Sequence, residues 1–450
     1  MTPRRTAGLW LLLTGVVSAQ TQTYPTSMIL YDPVNGGANA YSNNGNGTLA
    51  VPGYIFVNPG FTTVPVGDFN GDGLGDLIFY NSATTTPPDY IGLGQPNGSF
   101  TFQSLFWSQN YNFVRAGDLN GDKKTDFVLY NSSASSLITA LSNGDGTFNY
   151  QTVNLSASGF TLVAVADFNG DGKGDIFLYK TISGQTYGQA YLGIGNGAGG
   201  FTFNAIANVP NSFDHVSTWV ANGASRCADL LLYNSGSGLG WVGLGTSTGF
   251  NFTANAWSAG FTSALILDFN GDGIPDMLLY NKNNASGYLL EGPSYASAGS
   301  VFFGSGFDNV VAADLNSDGL SDVVLYRSSD GAAYTGLSTG NISGGIANFT
   351  FTNLGWPAGQ MLAVDPYPIR EQGETEPVCV SNSGGCTAPT GGQLPLLATN
   401  VVQSGQGAPP YFMLTAQFTN SSGVNRSWPL PQRWMKTGAR SGILHFSRRA

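Results

Sequence analysis

DFNGDGLGDLIFY, residues 68–80, is the stretch of this sequence that decides the fold. It places acidic or amide side chains at its first, third, fifth and ninth positions and then runs into an apolar segment. Four further copies follow: DLNGDKKTDFVLY at 118–130, DFNGDGKGDIFLY at 167–179, DFNGDGIPDMLLY at 268–280 and DLNSDGLSDVVLY at 314–326. A degenerate copy at 220–233 keeps Asp229 but has Ala221 and Gly223 at the first two polar positions. A recurrence every 46 to 54 residues indicates a repeat architecture.

Each repeat carries the signals of four short strands. One apolar strand leads into the acidic loop, and a second, apolar at consecutive positions, leads out of it. A third strand follows, such as YIGLG from residue 90, and a fourth with alternating aromatic residues closes the unit. The chain holds 63 Gly, which suits short strands joined by tight turns. Four strands in about 50 residues is the size of one propeller blade.

The strand count predicts how the repeats are arranged. The strand after the loop occurs seven times, first at 28–31, and the strand before the loop also occurs seven times, last at 360–365. We therefore predict an all-β, seven-bladed β-propeller over 24–366, with six or eight blades as alternatives. Pairing of 360–365 with the N-terminal blade would close it and hide the sheet edges. The remaining tail, 367–450, is rich in Pro, Gly and Ser and then basic, and is either a small attachment module or disordered.

The acidic loops have the composition of calcium sites. Each offers side-chain oxygens at positions 1, 3, 5 and 9 and a backbone carbonyl at position 7, and Ca²⁺ prefers such hard oxygen ligands. The first six positions match an EF-hand loop, but position 12 is apolar, so the loop joins two strands rather than two helices. The alternative is a plain Asp/Asn/Gly turn. The predicted ligands of about five Ca²⁺ sites are Asp68, Asn70, Asp72, Leu74 and Asp76; Asp118, Asn120, Asp122, Lys124 and Asp126; Asp167, Asn169, Asp171, Lys173 and Asp175; Asp268, Asn270, Asp272, Ile274 and Asp276; and Asp314, Asn316, Asp318, Leu320 and Asp322.

Charge supports this interpretation. All 27 acidic residues lie between residues 20 and 376, and the five loops hold 15 of them. A domain with so many acids repels itself unless cations bind. The loop at 118–126 is expected to be the weakest site, because Lys123 and Lys124 occupy its sixth and seventh positions. Pro275 is expected to stiffen the approach to Asp276.

Repeats of the form D-x-N-x-D-G-x-x-D after an apolar strand resemble FG-GAP/VCBS repeats, which build the β-propeller of integrin α subunits and of many secreted bacterial proteins. The resemblance covers about residues 24–366. It implies a calcium-stabilised propeller whose Ca²⁺ ions lie on the face away from most ligand sites. It does not identify a ligand, and Gly92-Leu93-Gly94 is only a weak echo of the FG…GAP signature of integrin units.

The N-terminus predicts export. Arg4 and Arg5 precede an apolar stretch at 9–17, and Val17-Ser18-Ala19 suits signal-peptide cleavage near residue 19. The apolar stretch is shorter than the roughly 20 residues that a membrane span requires. We expect a secreted or extracellular protein, periplasmic or on the cell surface if bacterial. In an oxidising compartment Cys379 and Cys386 could form a disulfide, whereas Cys227 is expected to be a buried apolar residue.

The sequence favours a binding or adhesion scaffold for an unidentified protein or glycan. The net charge of −10 argues against a nucleic-acid partner, and the propeller is expected to be monomeric. A multivalent lectin is one alternative, because aromatic side chains recur at equivalent positions and could stack on sugars. A secreted polysaccharide-active enzyme resembling a lyase is the other, although neither histidine, His215 or His445, lies near a nucleophile motif. The recurring aromatic residues are Trp107, Trp257 and Trp356, and Tyr90, Tyr191, Trp241, Tyr288 and Tyr334.

Overall fold

The computed structural model describes residues 9–10, 27–42, 46–49, 53–72, 75–83, 88–95, 99–107, 110–219, 227–272, 274–313, 315–316, 318–358, 396–402, 411–419 and 425–430. Over these ranges the chain forms β-strands and turns, and none of it forms a helix that could cross a membrane. Contacts divide the chain into two units, Met1–Val17 with Thr26–Glu371 and Ser18–Pro25 with Gln372–Ala450.

The larger unit contains seven groups of four antiparallel strands within the described residues, which we number as blades 1 to 7. Blade 1 contains β1 (Leu9–Trp10), β2 (Ser27–Tyr31), β3 (Ala38–Ser42) and β4 (Gly53–Ile55), and blade 2 contains β5 (Val66–Gly67), β6 (Asp76–Phe79), β7 (Asp89–Gly94) and β8 (Phe100–Leu105). Blade 3 contains β9 (Phe113–Gly117), β10 (Asp126–Asn131), β11 (Ser136–Ser142) and β12 (Phe148–Val153), and blade 4 contains β13 (Leu162–Ala166), β14 (Asp175–Lys180), β15 (Gln189–Gly195) and β16 (Phe201–Ile206).

Blade 5 contains β17 (His215–Trp219), β18 (Asp229–Tyr233), β19 (Leu239–Thr246) and β20 (Gly249–Ala256), and blade 6 contains β21 (Ser263–Leu267), β22 (Asp276–Tyr280), β23 (Ser286–Glu291) and β24 (Ala296–Phe302). Blade 7 contains β25 (Asn309–Ala313), β26 (Asp322–Arg327), β27 (Ala332–Ser343) and β28 (Ile346–Asn353). One parallel bridge between Ser300 and Ile346 joins the outer strands of blades 6 and 7.

The apolar runs that follow the acidic loops become the second strand of each blade. In β6, β10, β14, β18, β22 and β26 the residues from the first Asp through the last apolar position are buried. Both faces of these strands pack against neighbouring blades, which explains why their sequences are apolar at consecutive positions. The first strands of successive blades contact one another from β9 through β13, β17 and β21 to β25. The repeat therefore builds an all-β propeller.

A buried tyrosine near the end of each second strand holds the segment that leads to the next blade. Its hydroxyl donates a hydrogen bond to a carbonyl of that segment or accepts one from an N–H there, as Tyr179 does with Pro210 O at 2.7 Å and Phe213 N at 3.3 Å. The same arrangement recurs in every blade, with Tyr31, Tyr80, Tyr130, Tyr179, Tyr233, Tyr280 and Tyr326. Burial raises the pKa of Tyr31 and of Tyr80 to about 12. These tyrosines fix the spacing between consecutive blades.

Blade 1 packs directly against blade 7. Leu30 lies in one buried cluster with residues of β25 and β26. The Thr335 hydroxyl donates a hydrogen bond to Gly47 O at 3.2 Å, and the rings of Tyr41 and Trp356 have centroids 5.6 Å apart. These contacts join the N-terminal and C-terminal ends of the repeat array.

The strand beside β2 differs from the prediction. Leu9 and Trp10 pair there with Leu30 and Ile29, whereas the sequence predicted that 360–365 would take this edge. Residues 360–365 lie outside the described residues. Leu9 and Trp10 belong to the predicted signal peptide, so cleavage near residue 19 would leave this edge of β2 open to another strand.

The smaller unit contains a three-stranded antiparallel sheet of β29 (Leu396–Val402), β30 (Tyr411–Thr419) and β31 (Asn425–Leu430). The tail therefore includes regular strands. Cys379 and Cys386 lie outside the described residues.

We expect Tyr179→Phe to lower the free energy of unfolding by about 1–3 kcal/mol, because it keeps the ring but removes the hydroxyl that bonds the part-buried Pro210 carbonyl and the buried Phe213 N–H. Urea denaturation of the two proteins measures the difference. Tyr187→Phe is the matched control, because Tyr187 is 50% exposed. Equal loss in both variants would contradict the role assigned to the Tyr179 hydroxyl.

Candidate metal centre

The acidic loops connect the first and second strands of their blades, so they all lie at the same end of the blades. We number each loop by its blade: loop 2 (68–76), loop 3 (118–126), loop 4 (167–175), loop 6 (268–276) and loop 7 (314–322), with the degenerate loop 5 (221–229) between loops 4 and 6. The structure describes each of these loops in part or in full, and Leu74 and Asp314 lie outside the described residues.

The first, third and fifth positions form a tight turn held by side-chain oxygens. In loop 2, Asp68 Oδ1 accepts hydrogen bonds from Gly71 N at 2.7 Å and Asp72 N at 3.1 Å, and Asn70 Oδ1 accepts one from Asp72 N at 2.8 Å. Gly71 has a φ of 77°, a conformation that favours glycine. Asp118 and Asp167 accept the equivalent bonds in loops 3 and 4. The loop thus brings its polar side chains to one side of a curled backbone.

The ninth-position aspartate has a second task that the sequence analysis missed. Asp76 is fully buried, its Oδ2 accepts a hydrogen bond from Phe69 N at 2.7 Å, and its Oδ1 accepts one from Gly94 N at 2.7 Å. One carboxylate therefore ties the start of the loop to the end of the third strand. The bond to the third strand recurs at Asp126, Asp175, Asp229, Asp276 and Asp322.

The sequence of the degenerate loop 5 indicates this structural role of the ninth-position aspartate. Asp229 remains although the first two polar positions are lost, and its Oδ1 still accepts a hydrogen bond from Gly245 N at 2.8 Å. Asp229 is 4% exposed, and burial raises the pKa of its carboxyl to about 7. The ninth position is thus used even where the rest of the acidic set is absent.

The carboxylates of a loop repel one another. Burial raises the pKa of Asp76 to about 7, and the negative charges of Asp68 and Asp72 contribute to the increase. The same two causes, burial and neighbouring carboxylates, raise the pKa to about 7 for Asp126, Asp175 and Asp276. Such mutual repulsion is the condition that a bound cation relieves.

Two of the loops have a lysine at position 7, Lys124 in loop 3 and Lys173 in loop 4. Lys124 Nζ lies 2.6 Å from Asp122 Oδ2, whereas Lys173 Nζ lies 3.8 Å from Asp171 Oδ2. Burial alone would raise the pKa of Asp122, but hydrogen bonds and the charge of Lys124 bring it below its usual value. In loop 3 an internal ammonium therefore already neutralises one of the predicted ligands.

The donor set fits a hard divalent cation in kind and in number, with three carboxylates and one amide in each complete loop. Its arrangement is that of a hydrogen-bonded turn, because no three acidic, His or Cys side chains in the described parts of the chain are grouped closely enough to form a metal cage. The loops thus have the chemistry of a cation site, and their carboxylates accept bonds from the loop N–H groups.

The recurring aromatic side chains are used in packing. Trp107 is 3% exposed and lies between blades 2 and 3, with its ring centroid 5.3 Å from that of Phe127 and its Nε1 donating to the Tyr150 hydroxyl at 3.0 Å. Trp356 is also buried, and Trp257 Nε1 donates to Tyr295 O of blade 6. Each third-strand ring packs against an aromatic residue of the preceding inter-blade segment, in the pairs Tyr90–Phe61, Tyr191–Phe160, Trp241–Phe213, Tyr288–Phe261 and Tyr334–Phe307. The buried rings of Trp107 and Trp356 offer no face to a sugar.

His215 lies beside an aspartate and a serine, but this group is a structural repeat. His215 Nδ1 is 2.8 Å from Asp214 Oδ1, and Asp214 also bonds the side chain of Ser235. The same pairing of a residue at the start of the first strand with one after the second strand recurs as Thr62–Ser82, Asn112–Ser132 and Asp308–Ser328. His445 lies outside the described residues. Cys227 is buried, as the sequence predicted.

Comparison with known proteins agrees with the repeat analysis. The model of the FG-GAP-like repeat matches residues 118–178 and 268–325. The chain thus carries FG-GAP-like repeats within its β-propeller. The two matched segments begin with loops 3 and 6, so the FG-GAP-like repeat starts at an acidic loop and includes the second strand. No curated protein sequence is significantly similar to the chain.

Several solved structures resemble this propeller at low sequence identity. BBS1N, in a crystal structure of its complex with ARL6DN, has 10% identity and a TM-score of 0.44, and the match covers 72% of this chain and 95% of that one. The Dos1 propeller has 9% identity and a TM-score of 0.44, covering 77% and 87%. The exotype rhamnogalacturonan lyase YesX has 12% identity and a TM-score of 0.34, covering 93% and 73%. Similarity this distant identifies neither a ligand nor a reaction.

In calcium-free buffer we expect Asp229→Asn to flatten the dependence of stability on pH. A carboxyl whose pKa is raised to about 7 on folding contributes stability below its unfolded pKa of about 4, and this contribution is lost as the pH rises through 7. The wild-type contribution is on the order of 1–4 kcal/mol, and Asn removes it while keeping an acceptor for Gly245 N.

Thermal unfolding of both proteins between pH 4 and pH 8 measures this difference. Asp145→Asn is the control, because Asp145 is exposed in the turn before β12 and hydrogen bonds from Thr147 lower the pKa of its carboxyl, so this variant should not flatten the profile. An Asp229→Asn profile as steep as that of the wild type would contradict the assignment.

Proposed function

We propose that this FG-GAP repeat propeller is a secreted calcium-binding scaffold that presents a surface to a protein or glycan partner. The observation that carries the calcium part is the fivefold recurrence of one donor set on one end of the blades, in loops 2, 3, 4, 6 and 7. Asp, Asn and Asp at alternate positions supply side-chain oxygens, the carbonyl at position 7 supplies another, and the ninth-position aspartate closes the loop. Bound Ca²⁺ would neutralise carboxylates that now repel one another.

The calcium is proposed to be structural. The loops join the first and second strands, so an ion held there would fix the connection between the inner strands of a blade. The ninth-position carboxylate already links that connection to the third strand, as Asp76 does through Gly94 N. A cation on the same carboxylate would stabilise a junction on which three strands depend.

Export is proposed from the N-terminal sequence, with Arg4, Arg5 and the apolar stretch at 9–17. An extracellular location is consistent with the calcium proposal, because extracellular calcium modules bind with Kd values of about 10⁻⁴–10⁻³ M.

Exposed phenylalanines support the partner-binding part. Phe56, Phe106 and Phe302 are 79%, 77% and 64% exposed. They stand at similar places in blades 1, 2 and 6, and each directly precedes a buried residue that lies just beyond the fourth strand, namely Val57, Trp107 or Phe303. We assign these three side chains to the candidate partner surface, and the variants below test the assignment.

We expect millimolar Ca²⁺ to raise the melting temperature of the full chain, with four or five ions bound. At a free concentration ten times Kd, each independent site adds about 1.4 kcal/mol to the free energy of unfolding. Differential scanning calorimetry with metal counting by mass spectrometry tests this. Asp272→Asn should remove one ion, and Asp145→Asn, with the same charge change outside the loops, should remove none. If the wild type binds no metal, the loops are plain turns and the calcium proposal is wrong.

We expect Lys124→Leu to strengthen binding at loop 3 by several-fold, because it frees Asp122 from the ammonium 2.6 Å away. Leu is the residue at the seventh position of loops 2 and 7. Lys173→Leu is the matched control and should have a smaller effect, because Lys173 lies 3.8 Å from Asp171. Calcium titration calorimetry compares the weakest sites of the three proteins. A larger gain from Lys173→Leu than from Lys124→Leu would contradict the ranking.

Binding of a partner is tested on the calcium-loaded chain with a glycan array and with Phe56→Ser and Phe106→Ser variants. Glycan binding that is lost in these variants would identify the partner class as glycan. Glycan binding that survives them would show that these phenylalanines are not the surface used.

A further inference from the structure

Neighbouring acidic loops are hydrogen-bonded to one another. The backbone carbonyl at position 1 of one loop accepts a bond from the N–H at position 8 of the loop in the next blade. This contact occurs in four places, Asp68 O with Thr125 N at 2.7 Å, Asp118 O with Gly174 N at 2.6 Å, Asp167 O with Ala228 N at 2.7 Å and Asp268 O with Ser321 N at 2.7 Å. Each bond crosses from one blade to the next, so it is a contact between sites rather than within one.

Side chains reinforce two of these links in the reverse direction. Asp68 N donates to the Thr125 hydroxyl at 3.1 Å, and Asp268 N donates to the Ser321 hydroxyl at 2.8 Å. In both cases the residue at position 1, which carries a proposed ligand, is held at its N–H and at its carbonyl by one residue of the next loop.

Packing follows the same direction around the propeller. The side chain at position 7 of one loop covers the glycine at position 4 of the preceding loop. A Cβ added to Gly71 would lie 3.3 Å from Lys124 Cγ, and one added to Gly271 would lie 2.7 Å from Leu320 Cδ2. Gly121 and Lys173 form the equivalent pair between loops 3 and 4. Consecutive loops are therefore in contact through backbone and side chains together.

The linking N–H belongs to a peptide unit that also carries a proposed ligand. The carbonyl of position 7 and the N–H of position 8 are the two ends of one planar peptide, and in a trans peptide they point in opposite directions. A cation on the carbonyl of Leu320 would polarise this unit and make Ser321 N a stronger donor to Asp268 O. Asp268 is position 1 of loop 6, and its side chain is a proposed ligand of that loop. The contact thus joins the two proposed sites through a single peptide.

Between loops 4 and 6 the series of links is broken. Position 8 of loop 6 is Pro275, which has no N–H to donate toward blade 5, and loop 5 has lost its first two polar positions. Loops 2, 3 and 4 therefore form one linked group, and loops 6 and 7 form another. Ala228 still donates to Asp167 O, so the first group ends against a loop that lacks the ligand set.

From these contacts we propose that cations bind cooperatively within two separate groups of sites, loops 2 to 4 and loops 6 and 7. Blade 5, whose loop is degenerate, and blade 1, which carries no acidic loop, separate one group from the other. The proposal rests on the calcium sites proposed above. Filling loop 7 would order position 1 of loop 6 before its own ion arrives, and by linkage filling loop 6 would favour loop 7 by the same factor.

A double-mutant cycle tests the proposal on the full chain. Asp272→Asn weakens loop 6, Asp318→Asn weakens loop 7 and Asp171→Asn weakens loop 4. All three side chains are exposed, and Asn keeps an oxygen that can accept the loop N–H bond. Asp272 and Asp318 lie in linked loops. Asp171 and Asp272 lie on opposite sides of blade 5 and form the matched control pair.

The measured quantities are the calcium concentration at half-saturation, by titration calorimetry, and the melting temperature at fixed calcium. We expect Asp272→Asn to weaken the remaining site at loop 7 by about 5-fold or more, the lower end of typical coupling. The pair Asp272→Asn and Asp318→Asn should then be non-additive, and the pair Asp171→Asn and Asp272→Asn should be additive.

Additive effects in both pairs would overturn the cooperativity while leaving the calcium sites intact. Equal non-additivity in both pairs would overturn the isolation of the two groups. If calcium changes neither quantity in the wild type, the calcium proposal itself is wrong.

Discussion

The buried aspartate at the ninth loop position is the constraint on which each blade depends. Its two oxygens accept hydrogen bonds from N–H groups at the start of the loop and in the third strand, as Asp126 does from Leu119 N and Ser142 N. A carboxylate placed in the interior loses its hydration, and hydrogen bonds from backbone N–H groups offset part of that loss. The loop, the second strand and the third strand are thus fixed by one side chain, and the burial that raises its pKa is the same burial that orders the blade.

The second constraint lies at the opposite end of the blade. The tyrosine hydroxyl that ends each second strand bonds the segment leading to the next blade, and an aromatic residue of that segment packs on the following third strand. Blade order is therefore set by contacts between neighbours, as in other repeat proteins. Closure uses the same means, because Leu30, Tyr41 and Gly47 of blade 1 contact blade 7.

Repetition explains which features the sequence predicted. The acidic loops and the apolar second strands recur at fixed spacing, so the all-β propeller and the four-strand blade followed from pattern alone. The strand beside β2 was not predicted, because two short segments, Leu9–Trp10 and 360–365, both suit an edge that needs little more than backbone pairing. The links between loops were also missed. They use the backbone carbonyl of residues such as Asp68 and the N–H of residues such as Thr125. Nearly every residue has these groups, so the sequence does not show which of them pair.

Blade 5 keeps the hydrogen bonds that join it to its neighbours and lacks the first two polar positions of the acidic loop. Its loop has lost the polar side chains at the first and third positions. Three hydrogen bonds remain: Gly245 N to Asp229, the Tyr233 hydroxyl to Ser258 O, and Ala228 N to Asp167 O. These three contacts persist in blade 5, and its four strands form without Asp and Asn at the first and third loop positions. The strands of a blade therefore do not depend on those two side chains. Under the calcium proposal, the other blades use them as ligands.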